Sequence, residues 1–136
     1  MSKNASFINH PGSDLTEYGL SGGAVAGDLV FAGAMALDGE TMQRQAAAAT
    51  IADETLICIK DLEDTLKLGG AELKDLVKVN CYLSEDQYRT EFWATWDDYF
   101  ADIDASFVRL TQVVGIACGC RVELDGVAVK PQPAAG

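Results

Sequence analysis

Histidine and long apolar runs are scarce in this sequence, and each scarcity excludes a class of protein. Its 136 residues include one histidine, His10, near the N-terminus, so neither a Ser/His/Asp triad nor a Cys/His nucleophile is expected. No segment approaches the ~20 consecutive apolar residues that cross a bilayer. The first six residues, MSKNAS, lack the apolar core of a signal peptide. We therefore expect a soluble, cytoplasmic protein without a membrane segment.

Basic residues are also few, at 10 Lys and Arg against 21 Asp and Glu, which gives a formal net charge of −11. The basic residues are scattered singly along the chain and form no patch. Because nucleic-acid binding depends on clustered cations that neutralise phosphates, we expect no nucleic-acid partner and no ribonuclease activity. A small anionic substrate remains possible, since one arginine in a pocket can outweigh a repulsive outer surface.

The four cysteines are Cys58, Cys81, Cys118 and Cys120. In a cytoplasmic chain they are expected to be free and mostly buried thiols. Cys118 and Cys120 are separated by one residue, whereas zinc sites use wider spacing and a second ligand pair. We therefore expect no metal site.

The length and the apolar content of 49% indicate a single domain over residues 1–136 with a substantial core. Apolar alternation predicts strands, and apolar residues three and four apart predict helices. Glycine-rich and polar turns separate these segments, with Pro11–Asp14 and Ala26–Asp28 as the clearest turns. The predicted elements are strands around Ala5–His10, Leu20–Val25, Leu29–Gly33, Lys74–Leu83, Phe107–Gly115 and Gly119–Val129, and helices over Met42–Leu68 and Glu85–Phe100, capped by Thr41 and Ser84.

Three patterns assign the side chains to faces. The first helix carries an apolar stripe that includes Ala48, Ile51, Thr55, Ile59, Leu62 and Leu66. The second helix carries aromatic residues four apart, which we interpret as core packing: Tyr88, Phe92, Trp96 and Phe100. In the strand after the first helix, the odd positions Val77, Val79, Cys81 and Leu83 should face one side.

Two helices can cover only one face of a sheet of about six strands. The last strand is nevertheless apolar on both faces, with Val122, Leu124 and Ala128 on one and Val127 and Val129 on the other. The uncovered face must also be buried, and a sister subunit is the economical cover. The sequence therefore predicts an α+β fold, a mixed sheet with two helices packed on one face, and an oligomer.

A cation and an acid stand in the last two predicted strands, which we expect to be adjacent in the sheet. Arg109 lies in the segment Phe107–Thr111, and Glu123 follows fourteen residues later. Arginine can bind a carboxylate through two parallel hydrogen bonds, and a glutamate can activate a water molecule. The alternatives are interface salt bridges for both residues, and a competing arginine, Arg121, which is expected to be solvated at the head of the last strand.

Several segments resemble the Rid (reactive intermediate deaminase) family, also called YjgF/YER057c/UK114. They are GLSGGAVAGDLVFAG (19–33), LGGAELKDLVKV (68–79), Tyr99-Phe100 and VELDGVAV (122–129). The resemblance runs from about Tyr18 to Lys130 and leaves 131–136 as a short flexible tail. It implies a chorismate-mutase-like fold assembled as a homotrimer with a site in each inter-subunit cleft.

The same resemblance implies cofactor-free hydrolysis of an imine or enamine, such as 2-aminoacrylate, to a 2-oxo acid and ammonia. By position, Arg109 corresponds to the family arginine that grips the substrate carboxylate, and Glu123 to the glutamate that positions water. Backbone groups near Gly33, Ala34 and Thr111 would hold the imine end and the water. Tyr18 or Leu20 would close the pocket, and Trp93 stands where the family often has Asn.

The sequence departs from the family pattern at several of these positions. Phe107 replaces a proline, and Ala34 and Met35 replace polar residues. One residue is missing between the arginine and the glutamate; we place the deletion in the turn 115–119, whereas an ungapped alignment would put Val108 at the arginine position. These changes imply a reshaped, less polar pocket. The alternative function is a non-catalytic trimer that binds small acids or a partner enzyme.

Overall fold

The computed structural model describes residues 4–9 and 14–133, which form one mixed six-stranded sheet, a small two-stranded ribbon and two helices. Both helices pack on one face of the large sheet, as the sequence predicted. Neither helix in this described part of the chain is long and apolar enough to span a membrane. In chain order, the elements are β1 (Ser6–Ile8), β2 (Gly23–Ala26), β3 (Leu29–Met35), β4 (Leu37–Asp38), β5 (Gln43–Arg44), α1 (Ile51–Leu68), β6 (Leu76–Leu83), α2 (Arg89–Phe100), β7 (Val108–Val113) and β8 (Val122–Val129).

The strand order in the large sheet is β1-β2-β3-β8-β6-β7. All neighbouring strands are antiparallel except β6 and β7, which are parallel and joined by the α2 crossover. The last strand therefore lies in the middle of the sheet, and β6 separates it from β7. The expectation that the last two strands are neighbours was wrong. Chain order does not set sheet order when a parallel crossover places β7 at the edge.

The core lies between the sheet and the helices. On β8, Val122, Leu124 and Ala128 are buried, as their alternation predicted. The stripe from Ile51 to Leu66 is buried throughout, which confirms the helical periodicity, whereas Ala48 is buried but lies before the helix. On β6, the prediction that Val77 shares the buried face of Val79 was wrong, because Val77 is exposed. A bulge between Leu76 and Lys78 shifts the alternation and turns Leu76 into the core.

The start of α1 was predicted wrongly. The helix begins at Ile51, where the Thr50 hydroxyl accepts from the Asp53 N–H at 3.0 Å and the Asp53 carboxylate accepts from the Thr50 N–H at 3.2 Å. This reciprocal capping box satisfies two donors at the helix start. Residues 37–44 form the β4–β5 ribbon instead, and Met42 has a φ of 55°, which a right-handed helix does not allow.

The second helix also begins later than predicted. Residues 86–88 form a 3-10 turn, and α2 starts at Arg89, so Ser84 is not its cap. The aromatic stripe packs in the core as expected: Phe92 and Trp96 are buried, and the rings of Trp96 and Phe100 stack at 4.6 Å.

At the N-terminus, β1 lies within the predicted strand, while His10 and most of the predicted turn 11–14 lie outside the described residues. The second strand starts at Gly23 rather than Leu20, and the third continues two residues further, to Met35. Gly23 is required where it stands, because a Cβ there would lie 2.5 Å from the Thr65 methyl group of α1.

The face of the sheet that carries no helix, here called the open face, is rich in apolar side chains. Phe7, Phe31, Val108 and Leu110 all point to it and are between 39% and 57% exposed in the single chain. Apolar residues on both faces were predicted from the sequence. That a sister subunit covers this face remains a prediction.

Candidate functional site

Arg109 and Thr111 lie on the helix-side face of the edge strand β7. They are in register with Val79 and Cys81, two buried residues of β6 that point under the helices. Trp93 of α2 reaches the same place, and its indole Nε1 donates to the Thr111 hydroxyl at 3.1 Å. The structure thus brings together three residues that the sequence singled out. We call Trp93, Arg109 and Thr111 the arginine cluster.

The Arg109 guanidinium is held loosely. Its Nη1 lies 3.4 Å from the Asp97 carboxylate, and its centre lies 5.7 Å from the centre of the Trp96 ring. The side chain is 28% exposed, and Asp97 is 71% exposed. A guanidinium has five N–H donors, and one long contact to a solvated acid leaves most of them for a ligand. The salt bridge with Asp97 within the chain therefore does not occupy the arginine, and the alternative of a salt bridge across a subunit interface remains a prediction.

Thr111 is fixed by a second arginine. Arg89 donates from Nη1 to the Thr111 carbonyl at 3.0 Å and lies over the Trp93 ring at 5.4 Å. Its other donors bind Asp86 at 2.8 Å. This arrangement fixes the indole and the backbone next to Arg109 and satisfies a carbonyl on an edge strand.

Glu123 lies on the open face of the central strand β8. It is in register with Tyr82 and Met35, and its neighbours along the strand, Val122 and Leu124, point to the core. The side chain is half-buried. Burial raises the pKa of the Glu123 carboxyl above its ordinary value, and the charge of Asp125 on the same face raises it further.

Two cavities meet at Glu123. One, of about 450 Å³, is lined by Tyr82, Val114, Gly115 and Asp125 among others. The other, of about 220 Å³, includes Ala34 and Leu20 in its wall. Gly33 lines both, so Gly33, Ala34 and Glu123 form a second group, here called the glutamate cluster. Tyr18 is 53% exposed in a 3-10 turn and lines neither cavity, whereas Leu20, its alternative, lines the smaller one.

Arg109 and Glu123 are on opposite faces of one sheet. The arginine cluster is on the helix side of the edge strand, while Gly33 and Glu123 are on the open face of the central strands. The Ala34 side chain is buried in the core. The layer of paired backbones lies between Arg109 and Glu123. A single protomer therefore cannot place one small substrate against both Arg109 and Glu123.

The competing arginine, Arg121, was expected to be solvated, and this prediction was wrong. Its Nε donates to the buried Glu54 carboxylate at 2.7 Å, and its Nη2 donates to the Ala48 carbonyl at 2.9 Å. Glu54 also accepts from the backbone N–H groups of Arg121 and Val122 at 2.6 and 3.0 Å. Sequence reasoning missed this pair. The available signal was an acid on the apolar stripe of α1, three residues after Ile51.

The cysteines agree with the sequence expectation. All four are free, and Cys58, Cys81 and Cys120 are buried, while Cys118 is partly exposed. Burial raises the pKa of Cys81 to about 12 and that of Cys120 to about 11. Nucleophilic chemistry by these thiols is disfavoured at neutral pH, because the thiolate is the reactive form.

Comparison with known proteins places most of the chain in one fold. The family model described as Endoribonuclease L-PSP matches residues 16–130. No curated protein matches the chain. A solved structure of a candidate endoribonuclease from Thermotoga maritima is 27% identical, with a TM-score of 0.72, and the match covers 83% of this chain and 87% of that one.

Two further structures share the fold at lower identity. Yeast Mmf1 is 16% identical with a TM-score of 0.79, over 93% of this chain and 99% of its own. TdcF of E. coli, solved with bound serine, is 16% identical with a TM-score of 0.71, over 82% and 88% of the two chains.

Proposed function

The chain belongs to the Endoribonuclease L-PSP family, also known as YjgF/YER057c/UK114, and on that premise we propose that it is a cofactor-free hydrolytic deaminase of reactive imines and enamines. The products would be a 2-oxo acid and ammonia. A small molecule with a carboxylate next to the C=N bond is the substrate class that an arginine fork and a water-activating glutamate would suit.

One observation carries the proposal. The two groups that this chemistry needs, Arg109 and Glu123, are both accessible but lie on opposite faces of the sheet. Two protomers can combine them if the arginine cluster of one subunit lies against the open face of the next. The apolar side chains of that face supply a surface for such a contact. We therefore propose that the site lies in a cleft between subunits, and family membership supports a homotrimer as the assembly.

The reaction would proceed by positioning and proton transfer. Arg109 binds the substrate carboxylate, and backbone groups near Gly33, Ala34 and Thr111 hold the nitrogen end and a water molecule. Glu123 removes a proton from this water as its oxygen attacks the imine carbon. This proton passes from Glu123 to the nitrogen, which gives a carbinolamine. Glu123 then transfers the hydroxyl proton to the amino group, the C–N bond breaks, and ammonia leaves as the carbonyl forms. A carboxyl whose pKa is raised returns the proton more readily.

A second candidate is a non-catalytic trimer that binds small acids, or a partner enzyme, through the same cleft. It is favoured by the apolar residues Ala34 and Met35 beside Glu123 and by the bulk of Trp93 next to Arg109. Binding alone does not separate the two functions, so turnover must be measured.

The test is release of ammonia and 2-oxo acid from imines that an amino-acid oxidase generates in situ, after subtraction of the uncatalysed rate. We expect acceleration by the wild type and a loss of at least about 30-fold in kcat/KM for Arg109→Ala, as expected when one partner of a desolvated charge pair is removed. Lys60→Ala, an exposed cation on α1, is the matched control. No acceleration with imines of small and large side chains would refute the deaminase and leave the binding function.

A further inference from the structure

The smaller cavity beside Glu123 has a mainly apolar wall. It has a volume of about 220 Å³, and Leu15, Leu20, Ala34, Met35 and Leu37 line it. Its remaining wall is formed by Ser21, Gly22, Gly33 and Asp61, with Glu123 itself. Met35 is in register with Glu123 on the neighbouring strand, so the two side chains leave the sheet at adjacent positions on the open face.

Glu123 therefore stands between two compartments of different character. The larger cavity is lined by Tyr82, Gly115 and Asp125 together with the apolar residues Val114 and Leu124, so it has a greater share of polar surface than the smaller one. We expect the polar, reacting atoms of a substrate at Glu123 to lie in the larger cavity. We expect its apolar substituent to lie in the smaller cavity, beside Leu20 and Met35, because burying apolar surface away from water is favourable.

The size of the apolar compartment sets the size of the substituent. A buried apolar cavity of about 150 Å³ is sufficient to bind benzene. A compartment of about 220 Å³ is therefore large enough for a six-membered ring or a branched aliphatic chain. A methyl group would leave most of it unfilled, so a three-carbon imine would use little of the available contact.

We propose that this compartment selects imines with a bulky apolar side chain, and that Leu20 and Met35 determine this specificity. The inference rests on the proposed function and adds the substrate class to it. Because the compartment would bind the same side chain in the 2-oxo acid product, it can be tested by binding, without any turnover.

The experiment is calorimetric titration of the wild type with two 2-oxo acids, phenylpyruvate and pyruvate, which differ in a phenyl group. We expect phenylpyruvate to bind at least about tenfold more tightly, since even one methylene in a hydrophobic pocket discriminates by about that factor. Met35→Trp, which fills the compartment, should abolish the preference. Met35→Leu, which conserves the volume, should retain it. Leu68→Ser, on an exposed apolar residue at the end of α1, is the control for general surface effects.

Equal binding of the two acids, tighter binding of pyruvate, or no binding of either would overturn the inference. A preference for phenylpyruvate that Met35→Trp leaves unchanged would also overturn it, because another surface would then hold the ring. Turnover of the corresponding imines is measured in parallel and decides the proposed function separately. A phenylpyruvate preference without turnover supports the compartment and refutes the deaminase, whereas turnover without the preference does the opposite.

Discussion

Because Arg109 and Glu123 lie on opposite faces of the sheet, we can predict the activity of oligomers that contain two different variants. Arg109→Ala and Glu123→Gln should each inactivate the protein when assembled alone. If one site takes Arg109 from one subunit and Glu123 from the next, an oligomer that contains both variants regains intact sites. Activity should therefore appear when two inactive chains are assembled together, although neither protomer carries both groups.

The expected recovery follows from counting clefts in a closed ring. A mixed trimer contains two copies of one variant and one of the other. Of its three head-to-tail clefts, one combines an intact arginine with an intact glutamate, and the other two lack one or both groups. Purified mixed trimers should show about one third of the wild-type rate per oligomer, whereas a mixed dimer with two equivalent sites would show about one half.

The assay is co-expression of the two variants with different affinity tags, tandem purification of the mixed oligomers, and measurement of ammonia release. The two single-variant preparations, mixed after purification without subunit exchange, provide the background. The reasoning would be refuted by mixed oligomers that are no more active than this background while the wild type is active. In that case no site would combine Arg109 of one subunit with Glu123 of another.

Three further predictions concern stability and reactivity. Glu54→Ala should lower the free energy of unfolding by about 3–5 kcal/mol in urea titrations, because it leaves the guanidinium of Arg121 without its buried partner; an unchanged midpoint would contradict a structural role. Glu123→Gln should raise the melting temperature at about pH 7 but not near pH 4. The pKa of Glu123 is higher in the folded than in the unfolded protein, so ionisation of this carboxyl at neutral pH destabilises the fold, and glutamine removes that cost. A decrease at neutral pH would show instead that the charge is stabilising. A thiol reagent should modify Cys118 first in the native protein, and Cys81 only on unfolding, because burial raises the pKa of Cys81 to about 12; peptide mapping after brief alkylation checks this order.

The parts of the fold that could be predicted from the sequence depend on local periodicity. The burial of the α1 stripe and of the Phe92–Trp96 aromatic series follows from spacings of three and four residues. The alternation along β8 follows from the two-residue repeat of an extended strand. These patterns need no knowledge of distant residues.

The start of α1 could not be predicted from its own segment. Residues 42–50 carry enough apolar residues at helical spacing to extend the helix pattern. Pairing with distant parts of the chain decides against it: the Arg44 N–H donates to the Cys118 carbonyl at 2.9 Å, and the Gln45 N–H donates to the Ala36 carbonyl at 2.8 Å. Helical propensity is weak compared with such tertiary constraints.

The sequence was enough to determine the residue types of the candidate site and the apolar character of both sheet faces. It also determined the family pattern that connects Arg109 with Glu123. Only the tertiary structure decided that these two residues point away from each other. The physical reason is that alternation along a strand is local, whereas the face on which it falls depends on strand order and register. Those are set by long-range pairing, which here places β6 between β7 and β8 and turns Arg109 towards α2 and Glu123 towards the open face.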